Sequence, residues 1–253
     1  MKIQAEGFAL AAVSYDSQDV LRSFADRHGI TFPLLSDPGS KTITAWGLLN
    51  QAATGREAGI PHPGTFLIDR QGRVVERAFE ADYRERSTGA SVLTRLGASI
   101  DPVGATSAVG RQISARAGTS DAAVSPGRRL TLIVDVTPAP QMHVYAPAQQ
   151  GYIPIALTVD ASQDYRAAPP RFPPPGTYFF APLKETVKVY DAPFRITQQI
   201  TLGLARDLRE RATARGTLVI TGRLDYQACD DAVCYRPDSI PLTWRVALVP
   251  FER

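Results

Sequence analysis

The residues best suited to chemistry in this sequence are two cysteines, Cys229 and Cys234, in the stretch Tyr-Gln-Ala-Cys-Asp-Asp-Ala-Val-Cys-Tyr. Four residues separate them and strand-like sequences flank them, so we expect a pair within disulfide reach at the end of a hairpin. A purely structural disulfide across so short a loop contributes only about 2 kcal/mol, which a domain of this size does not need. The spacing therefore favours a redox-active pair over a structural one.

Metal and cofactor chemistry finds little support in the residue types. The two cysteines are the only ones in 253 residues, too few for a disulfide framework or a four-thiolate zinc site. The three histidines, His28, His62 and His143, are isolated in sequence. There is no serine-hydrolase elbow and no phosphate-binding glycine loop. We therefore expect no metal and no cofactor.

Four residues beside the cysteines are candidates for modifying their reactivity. Asp230 and Asp231 lie between them, and negative charge near a thiol raises its pKa, although both acids could simply face water in a turn. Tyr226 and Tyr235 flank the pair and could shield it, although tyrosines on strands usually pack in a core. These four residues are the predicted tuning groups.

A proline before an apolar stretch is the second feature of interest. Pro63 stands in Ile-Pro-His-Pro-Gly-Thr-Phe-Leu-Ile-Asp, directly ahead of a predicted strand. A proline at this place in an α/β unit is a candidate for a cis peptide bond, although most X–Pro bonds are trans.

Charge and hydropathy exclude several classes of protein. The net charge is +3, from 28 basic and 25 acidic residues, and no basic run accompanies it, so nothing indicates nucleic acid. No apolar run reaches the roughly 18–20 residues of a membrane span, and the longest near the start is Phe8–Val13. Acids and polar groups occur throughout the first 30 residues, so no signal peptide is visible.

Residues 1–97 alternate strand-like and helical patterns in the order β-α-β-α-β-β-α, which predicts an α/β domain with a mixed sheet. Ser17 is the expected N-cap of the first helix, and Gly29 its expected end. The other predicted elements are strands at Phe8–Ser14 and Phe32–Leu35, a helix opening at Asp37, a hairpin of Thr65–Ile68 and Arg73–Phe79, and a helix near Ala90–Leu96.

Residues 98–110 are small and polar without periodicity, and we predict a linker there. Residues 111–253 show short strands separated by Pro and Gly turns, which predicts an all-β sandwich of immunoglobulin type. A short surface helix is expected within Leu204–Ala214. The predicted strands are Gln112–Ala117, Arg129–Val136, His143–Tyr145, Ile153–Val159, Thr186–Tyr190, Phe194–Leu202, Thr217–Tyr226 and Ile240–Leu248.

The stretches Ala-Ala-Val-Ser-Tyr-Asp-Ser from Ala11, Phe-Pro-Leu-Leu-Ser-Asp from Phe32 and His-Pro-Gly-Thr-Phe-Leu-Ile-Asp from His62 resemble the redoxin families of thioredoxin fold, the AhpC/TSA peroxiredoxins and their TlpA-like relatives. By position Pro63 matches their cis-proline. Their reactive cysteine follows a strand that precedes the one predicted at Phe8–Ser14. The resemblance thus implies that the chain starts inside the ancestral domain, with the cysteine and a central strand missing and strand edges unpaired in mid-sheet.

The stretches Tyr226–Pro237 and Val-Tyr-Asp-Ala-Pro-Phe from Val189 resemble the N-terminal periplasmic domain of the thiol-disulfide reductant carrier DsbD, a likeness that extends over residues 111–253. The resemblance implies an immunoglobulin-like fold in the periplasm or another extracytoplasmic space. It further implies that the cysteine pair accepts electrons from a thioredoxin-like domain and passes them to partner proteins. In that scheme Cys234 forms the mixed disulfide and Cys229 resolves it.

The DsbD resemblance also implies a cap loop that shields the cysteines until a partner docks. By order along the chain this loop would be Tyr178–Glu185, with Phe179, Phe180 or Leu183 as the apolar shield.

The prediction is thus a thiol-disulfide exchange protein, an oxidoreductase in type, with a thioredoxin-like protein or domain as its partner. One alternative is a binding or scaffold module whose disulfide is only structural. Another is a fragment of a peroxiredoxin-like antioxidant protein whose catalytic cysteine lies upstream of Met1.

Overall fold

The computed structural model describes residues 7–79, 86–95, 97–147, 149–180 and 184–251. The chain divides into two compact units, residues 1–89 and residues 90–253. The predicted helix near Ala90–Leu96 therefore belongs mainly to the second unit, where the Ser91 and Thr131 hydroxyls hydrogen-bond at 2.8 Å in a buried position. The predicted boundary at residue 97 is thus later than the one in the structure.

The first unit opens with a strand–helix–strand segment whose helix begins and ends where predicted. Ser17 Oγ accepts the Val20 N–H, and Gly29 ends the helix in the left-handed conformation, φ 60°, which glycine adopts without a Cβ clash. The elements of this unit are β1 (Ala12–Ser14), α1 (Gln18–His28), β2 (Leu34–Ser36), α2 (Lys41–Ala45), a 3₁₀ turn (Gly55–Glu57), β3 (Gly64–Ile68), β4 (Val74–Phe79) and β5 (Arg86–Ser87).

The predicted mixed sheet is wrong, because the strands form two separate two-stranded sheets. β1 pairs in parallel with β2, while β3 pairs antiparallel with β4 around the turn in which Asp69 Oδ1 accepts the Gln71 and Arg73 N–H groups. Within the described ranges, no strand pairs with both β1 and β3, so nothing joins the two ladders into one sheet.

The second unit is rich in β-structure, and each of its eight predicted strands overlaps a strand of the structure. A helix also lies where the surface helix was predicted. The elements are α3 (Gly89–Arg95), β6 (Val103–Val109), β7 (Ile113–Thr119), β8 (Ala123–Val124), β9 (Arg128–Pro138), β10 (His143–Tyr145), β11 (Ala156–Val159), β12 (Tyr165–Ala167), β13 (Gly176–Phe180), β14 (Glu185–Tyr190), β15 (Phe194–Leu202), α4 (Arg206–Thr213), β16 (Thr217–Tyr226), β17 (Ala228–Cys229) and β18 (Asp238–Leu248).

Two sheets of this unit share one hydrophobic core. The first has the strand order β12-β15-β9-β7-β6 and the second has the order β11-β16-β18-β8. Alternate residues of β16 and β18 are buried, as expected for strands with one face in a core. Trp244 on β18 is completely buried, and its indole N–H donates to the Ile133 carbonyl on β9, which ties the two sheets together.

The predicted linker at 98–110 is mostly strand β6, which pairs antiparallel with β7. Glycine makes this pairing feasible, because a Cβ on Gly118 would lie 2.7 Å from the Pro102 Cβ and 2.8 Å from the Val103 carbonyl oxygen. The close approach of the two strands therefore depends on Gly118, which lies on β7 rather than in the predicted linker.

A third sheet, with the order β13-β14-β10-β17, carries the cysteine pair. β10 occupies an inner position, with Tyr145 opposite Val189 on β14 and His143 opposite Cys229 on β17. Directly opposite residues of an antiparallel pair project to the same side of a sheet. Side chains from several strands therefore meet around the cysteines.

Candidate functional site

Cys229 and Cys234 form a disulfide, with their Cα atoms 4.0 Å apart. Cys229 ends β17, and the chain turns back at once: Asp230 N–H donates to the Val233 carbonyl, and Tyr235 N–H donates to the Ala228 carbonyl. The predicted disulfide reach and hairpin-end position are both present in the structure.

The two cysteines of this bond differ in their exposure to solvent. Cys229 is buried, with an exposed fraction of 1%, whereas Cys234 is exposed. A disulfide is opened by attack of a thiolate along the S–S axis on one sulfur, and the other sulfur departs. In this arrangement Cys234 is the cysteine open to solvent, and Cys229 is enclosed by the protein.

The Tyr145 hydroxyl faces the S–S bond and is almost equally distant from the two sulfurs, 3.4 Å from Cys229 Sγ and 3.6 Å from Cys234 Sγ. Disulfide sulfurs carry no hydrogen, so the tyrosine is the donor in both contacts. Burial is the main cause that raises the pKa of Tyr145, followed by Glu185 and Tyr178, so the hydroxyl keeps its proton at neutral pH. Sequence reasoning missed this residue, because its proximity depends on the pairing of β10 with β17, 84 residues later.

Aromatic rings hold Tyr145 in place. Its ring stacks on Tyr152 with centroids 4.1 Å apart, and the Tyr152 hydroxyl donates to Glu185. Tyr145 and Cys229 form a small hydrophobic cluster with Val187 and Val189, and Tyr152 and Tyr178 pack against it. The position of the hydroxyl is thus determined by packing against side chains of β14 and β17, the two strands that flank β10.

The two acids between the cysteines have different roles. Asp230 accepts the N–H groups of Ala232 and Val233 and the Tyr235 hydroxyl, and these bonds, in that order, lower its pKa. Asp231 is exposed and accepts the Tyr178 hydroxyl at 2.5 Å. Asp230 therefore shapes the turn that presents Cys234, and Asp231 connects the turn to β13.

Among the flanking tyrosines, only Tyr235 belongs to the site, through its bond to Asp230. Tyr226 does not shield the disulfide. It is 1% exposed in the main core, and its hydroxyl donates to Asp238 and accepts the Arg111 N–H. The reason is strand alternation, which directs Tyr226 into the same core as Leu224 on β16.

The predicted cap loop, Tyr178–Glu185, comprises the end of β13 and the start of β14 together with residues between them. Phe179 is 60% exposed, and Phe180 is half-buried. Leu183 lies outside the described residues. The hairpin residue that packs beside the disulfide is Tyr178, whose ring also lies over His143.

Pro63 is half-buried at the start of the β3 hairpin, and the predicted cis bond is wrong, since every described peptide bond is trans. Trans is the ordinary preference of an X–Pro bond, by about 0.5–1 kcal/mol. No thiol accompanies it, because residues 1–228 contain no cysteine.

The part of the chain that the structure describes offers neither a metal-binding cluster nor a membrane-spanning helix. There, no three His, Cys, Asp or Glu side chains are grouped so as to hold a metal ion. Over the same residues, no helix combines the length and apolar character that a bilayer crossing requires.

Comparison with known proteins relates each part of the chain to a known family. Residues 1–77 match the AhpC/TSA family model, so the first unit is thioredoxin-like. Residues 115–241, half of the chain, match the model described as thiol:disulfide interchange protein DsbD, N-terminal. By class, the chain thus joins a redoxin-like segment to a β-rich domain of the DsbD N-terminal kind. More particularly, the chain belongs to the family of the DsbD N-terminal domain.

The curated relatives align with the first unit. A Mycobacterium tuberculosis protein named as a peroxiredoxin is 34% identical over 84 residues, 33% of this chain and 51% of the relative. The thiol-disulfide oxidoreductase ResA of Bacillus anthracis is 29% identical over 89 residues, 35% of this chain and 45% of the relative. The chain therefore spans about half the length of the curated relatives it matches.

A solved structure with some likeness is the N-terminal periplasmic domain of ScsB from Proteus mirabilis. It has a TM-score of 0.37 and 16% identity, covering 57% of this chain and 51% of that chain.

Proposed function

We propose that the second unit, an immunoglobulin-like sandwich, passes electrons through Cys229 and Cys234 by forming mixed disulfides with a thioredoxin-like protein or domain. The observation that carries the proposal is the unequal exposure of the two cysteine residues. An extracytoplasmic compartment, the periplasm by family resemblance, suits a protein that must hold a disulfide in its resting state.

The electron transfer proceeds in two exchange steps. A thiolate of the reduced partner attacks Cys234 Sγ, a new intermolecular S–S bond forms, and the electron pair of the old bond goes to Cys229 Sγ. The partner's second thiolate then attacks its own sulfur in the mixed disulfide and releases Cys234 as a thiolate. The partner leaves oxidised, and this chain carries the dithiol.

Delivery of the electrons to a client reverses this order. The exposed Cys234 thiolate attacks the client disulfide, and Cys229 then attacks Cys234 Sγ and releases the reduced client. Tyr145 serves both directions, because its hydroxyl can donate to whichever sulfur carries the negative charge.

The test begins with the oxidised protein and a reduced thioredoxin-like protein, with dithiothreitol at the same dithiol concentration as the reference. We expect the protein partner to reduce the Cys229–Cys234 bond at least tenfold faster, with Cys234→Ser as the blank. Equal rates for the protein and the small dithiol would exclude a shuttle.

Single-cysteine variants test the assignment of the two sulfurs. After activation with an aromatic disulfide reagent, Cys229→Ser, which keeps Cys234, should be captured as a mixed disulfide by a thioredoxin variant without its resolving cysteine. Cys234→Ser, which keeps the buried Cys229, should be captured at least tenfold more slowly. The opposite order would overturn the assignment.

The structural alternative predicts different redox behaviour. A disulfide kept only for stability has a reduction potential below about −300 mV. Titration of the wild-type protein against glutathione or dithiothreitol buffers separates the two functions, because a shuttle must lie within reach of its partner's potential.

A further inference from the structure

His143 is a buried ionisable residue that the exchange steps above do not use. It faces Cys229 directly across the β10–β17 ladder, and the two residues are 3% and 1% exposed. Directly opposite residues of an antiparallel pair have Cβ atoms about 4.5–5.5 Å apart on one face of the sheet. The imidazole and the Cys229 side chain are therefore on the same face of the sheet, at directly opposite positions, and both residues are shielded from solvent.

The surroundings of His143 favour its neutral imidazole in the oxidised protein. They also include acidic groups that would favour its protonation once a negative charge forms on Cys229. The Tyr178 ring on β13 lies 4.6 Å away, and the edge-on Tyr145 ring on its own strand lies 5.6 Å away. Burial, the largest cause, lowers the pKa of His143. The charged groups that oppose this are all acidic, namely Asp231 and Asp230 in the turn after β17 and Asp191 after β14.

We propose that His143 takes up a proton when the disulfide is opened and holds Cys229 as a thiolate beside its imidazolium. The idea rests on the proposed function in one respect, that this thiolate is the nucleophile that resolves the mixed disulfide. It assigns to His143 an acid–base role that the cysteine motif alone does not contain.

The proton and electron balance is complete. When a partner thiolate bonds to Cys234 Sγ, the S–S electron pair moves to Cys229 Sγ, and one proton passes from solvent to the His143 imidazole. In the reverse step the Cys229 thiolate bonds to Cys234 Sγ, the partner thiolate is expelled, and His143 returns its proton to solvent.

The physical reason is the cost of a lone charge in a buried site. An anionic sulfur at the Cys229 position has lost most of its hydration, and an imidazolium at the directly opposite position of the ladder compensates for part of that loss. The coupling is reciprocal: the factor by which the thiolate strengthens proton binding to His143 is the factor by which the imidazolium favours Cys229 ionisation.

Nuclear magnetic resonance of the wild-type protein gives a direct test. The pKa of His143 is read from the imidazole Cε1–H shift against pH, first in the oxidised protein and then in the reduced one. We expect reduction to raise it by at least one pH unit, a tenfold change in the ionisation constant. His28 and His62, both exposed in the first unit, serve as internal references that should not move.

A second measurement reads the coupling from the sulfur. In Cys234→Ser the remaining thiol is Cys229, and its ionisation is followed by thiolate absorbance near 240 nm. Adding His143→Gln, which keeps a polar side chain but cannot become cationic, should raise the Cys229 pKa by at least one unit. The matched control is His28→Gln in the same background, which should leave it unchanged.

The proposal is overturned if the His143 pKa changes by less than 0.3 unit on reduction, or if His143→Gln leaves the Cys229 pKa where it was. Neither measurement involves a protein partner. A chain that shows the coupled shift but exchanges no faster with a thioredoxin-like protein would refute the shuttle alone, and the converse result would refute the His143 role alone.

Discussion

Replacing Tyr145 by Phe tests whether the hydroxyl that faces the S–S bond assists disulfide opening. The substitution keeps the ring that stacks on Tyr152 and removes only the donor. In the closed disulfide both contacts are to neutral sulfur, at 3.4 and 3.6 Å, and a bond of that kind contributes at most about 1 kcal/mol. Once Cys229 leaves as a thiolate, the same donor serves a charged acceptor, a bond of about 1.5–3 kcal/mol.

The difference in hydrogen-bond free energy between the closed disulfide and the Cys229 thiolate is what accelerates the reaction. Only bonds that strengthen on the way to the transition state have this effect. The difference amounts to about 1–2 kcal/mol, which corresponds to a rate decrease of about 5- to 30-fold in Tyr145→Phe. The assay is reduction by excess dithiothreitol at pH 7, with acid quenching, alkylation of released thiols and mass spectrometry at successive times.

Tyr165→Phe is the matched control. It also deletes a buried hydroxyl of the second unit, one that donates to the Asp160 carbonyl at 2.8 Å rather than to the disulfide. It should be reduced at the wild-type rate. If Tyr145→Phe is reduced within twofold of wild type, the hydroxyl takes no part in opening the bond and the reasoning fails.

Two further predictions concern stability. Gly118→Ala should lower the free energy of unfolding in urea by about 1–3 kcal/mol, because its Cβ would clash with Pro102 and Val103. The control is Gly176→Ala, whose nearest contact would be an ordinary 3.6 Å. Equal losses of stability in the two variants would contradict the packing of β6 against β7. The Asp230 pKa is lowered in the folded state, so its contribution is present above about pH 4 and is lost as the pH falls through the folded pKa. The stability advantage of wild type over Asp230→Asn should therefore shrink between about pH 5 and pH 2 in acid unfolding curves, and a constant advantage would refute the role of the turn bonds.

Local sequence signals were sufficient for most elements. The N-cap at Ser17, the left-handed Gly29 and the Asp69 turn depend on bonds within a few residues, and the structure has them where predicted. The eight core strands of the second unit were also predicted, because a buried face imposes a period of two on apolar residues. The missed strands were short, such as β17, or composed of small residues, such as β6, or partly assigned to the cap loop, as β13 was.

The site was predicted only in part. Cys229 and Cys234 are five positions apart, so their proximity could be predicted from spacing. Tyr145 and His143 are more than 80 residues from the cysteines, and their strand was predicted without its partner. Tyr226 illustrates the opposite error: it is near the pair in sequence, yet strand alternation directs it into the core.

Sequence alone determined which chemistry this chain can perform, since it contains one pair of thiols at hairpin spacing and none in its first 228 residues. Tertiary structure decided how the two thiols differ. Pairing of β10 with β17 buries Cys229 against His143 and Tyr145, while the Asp230 turn leaves Cys234 in solvent. Burial and neighbouring charge depend on contacts between distant segments, and these contacts give the two cysteines different surroundings.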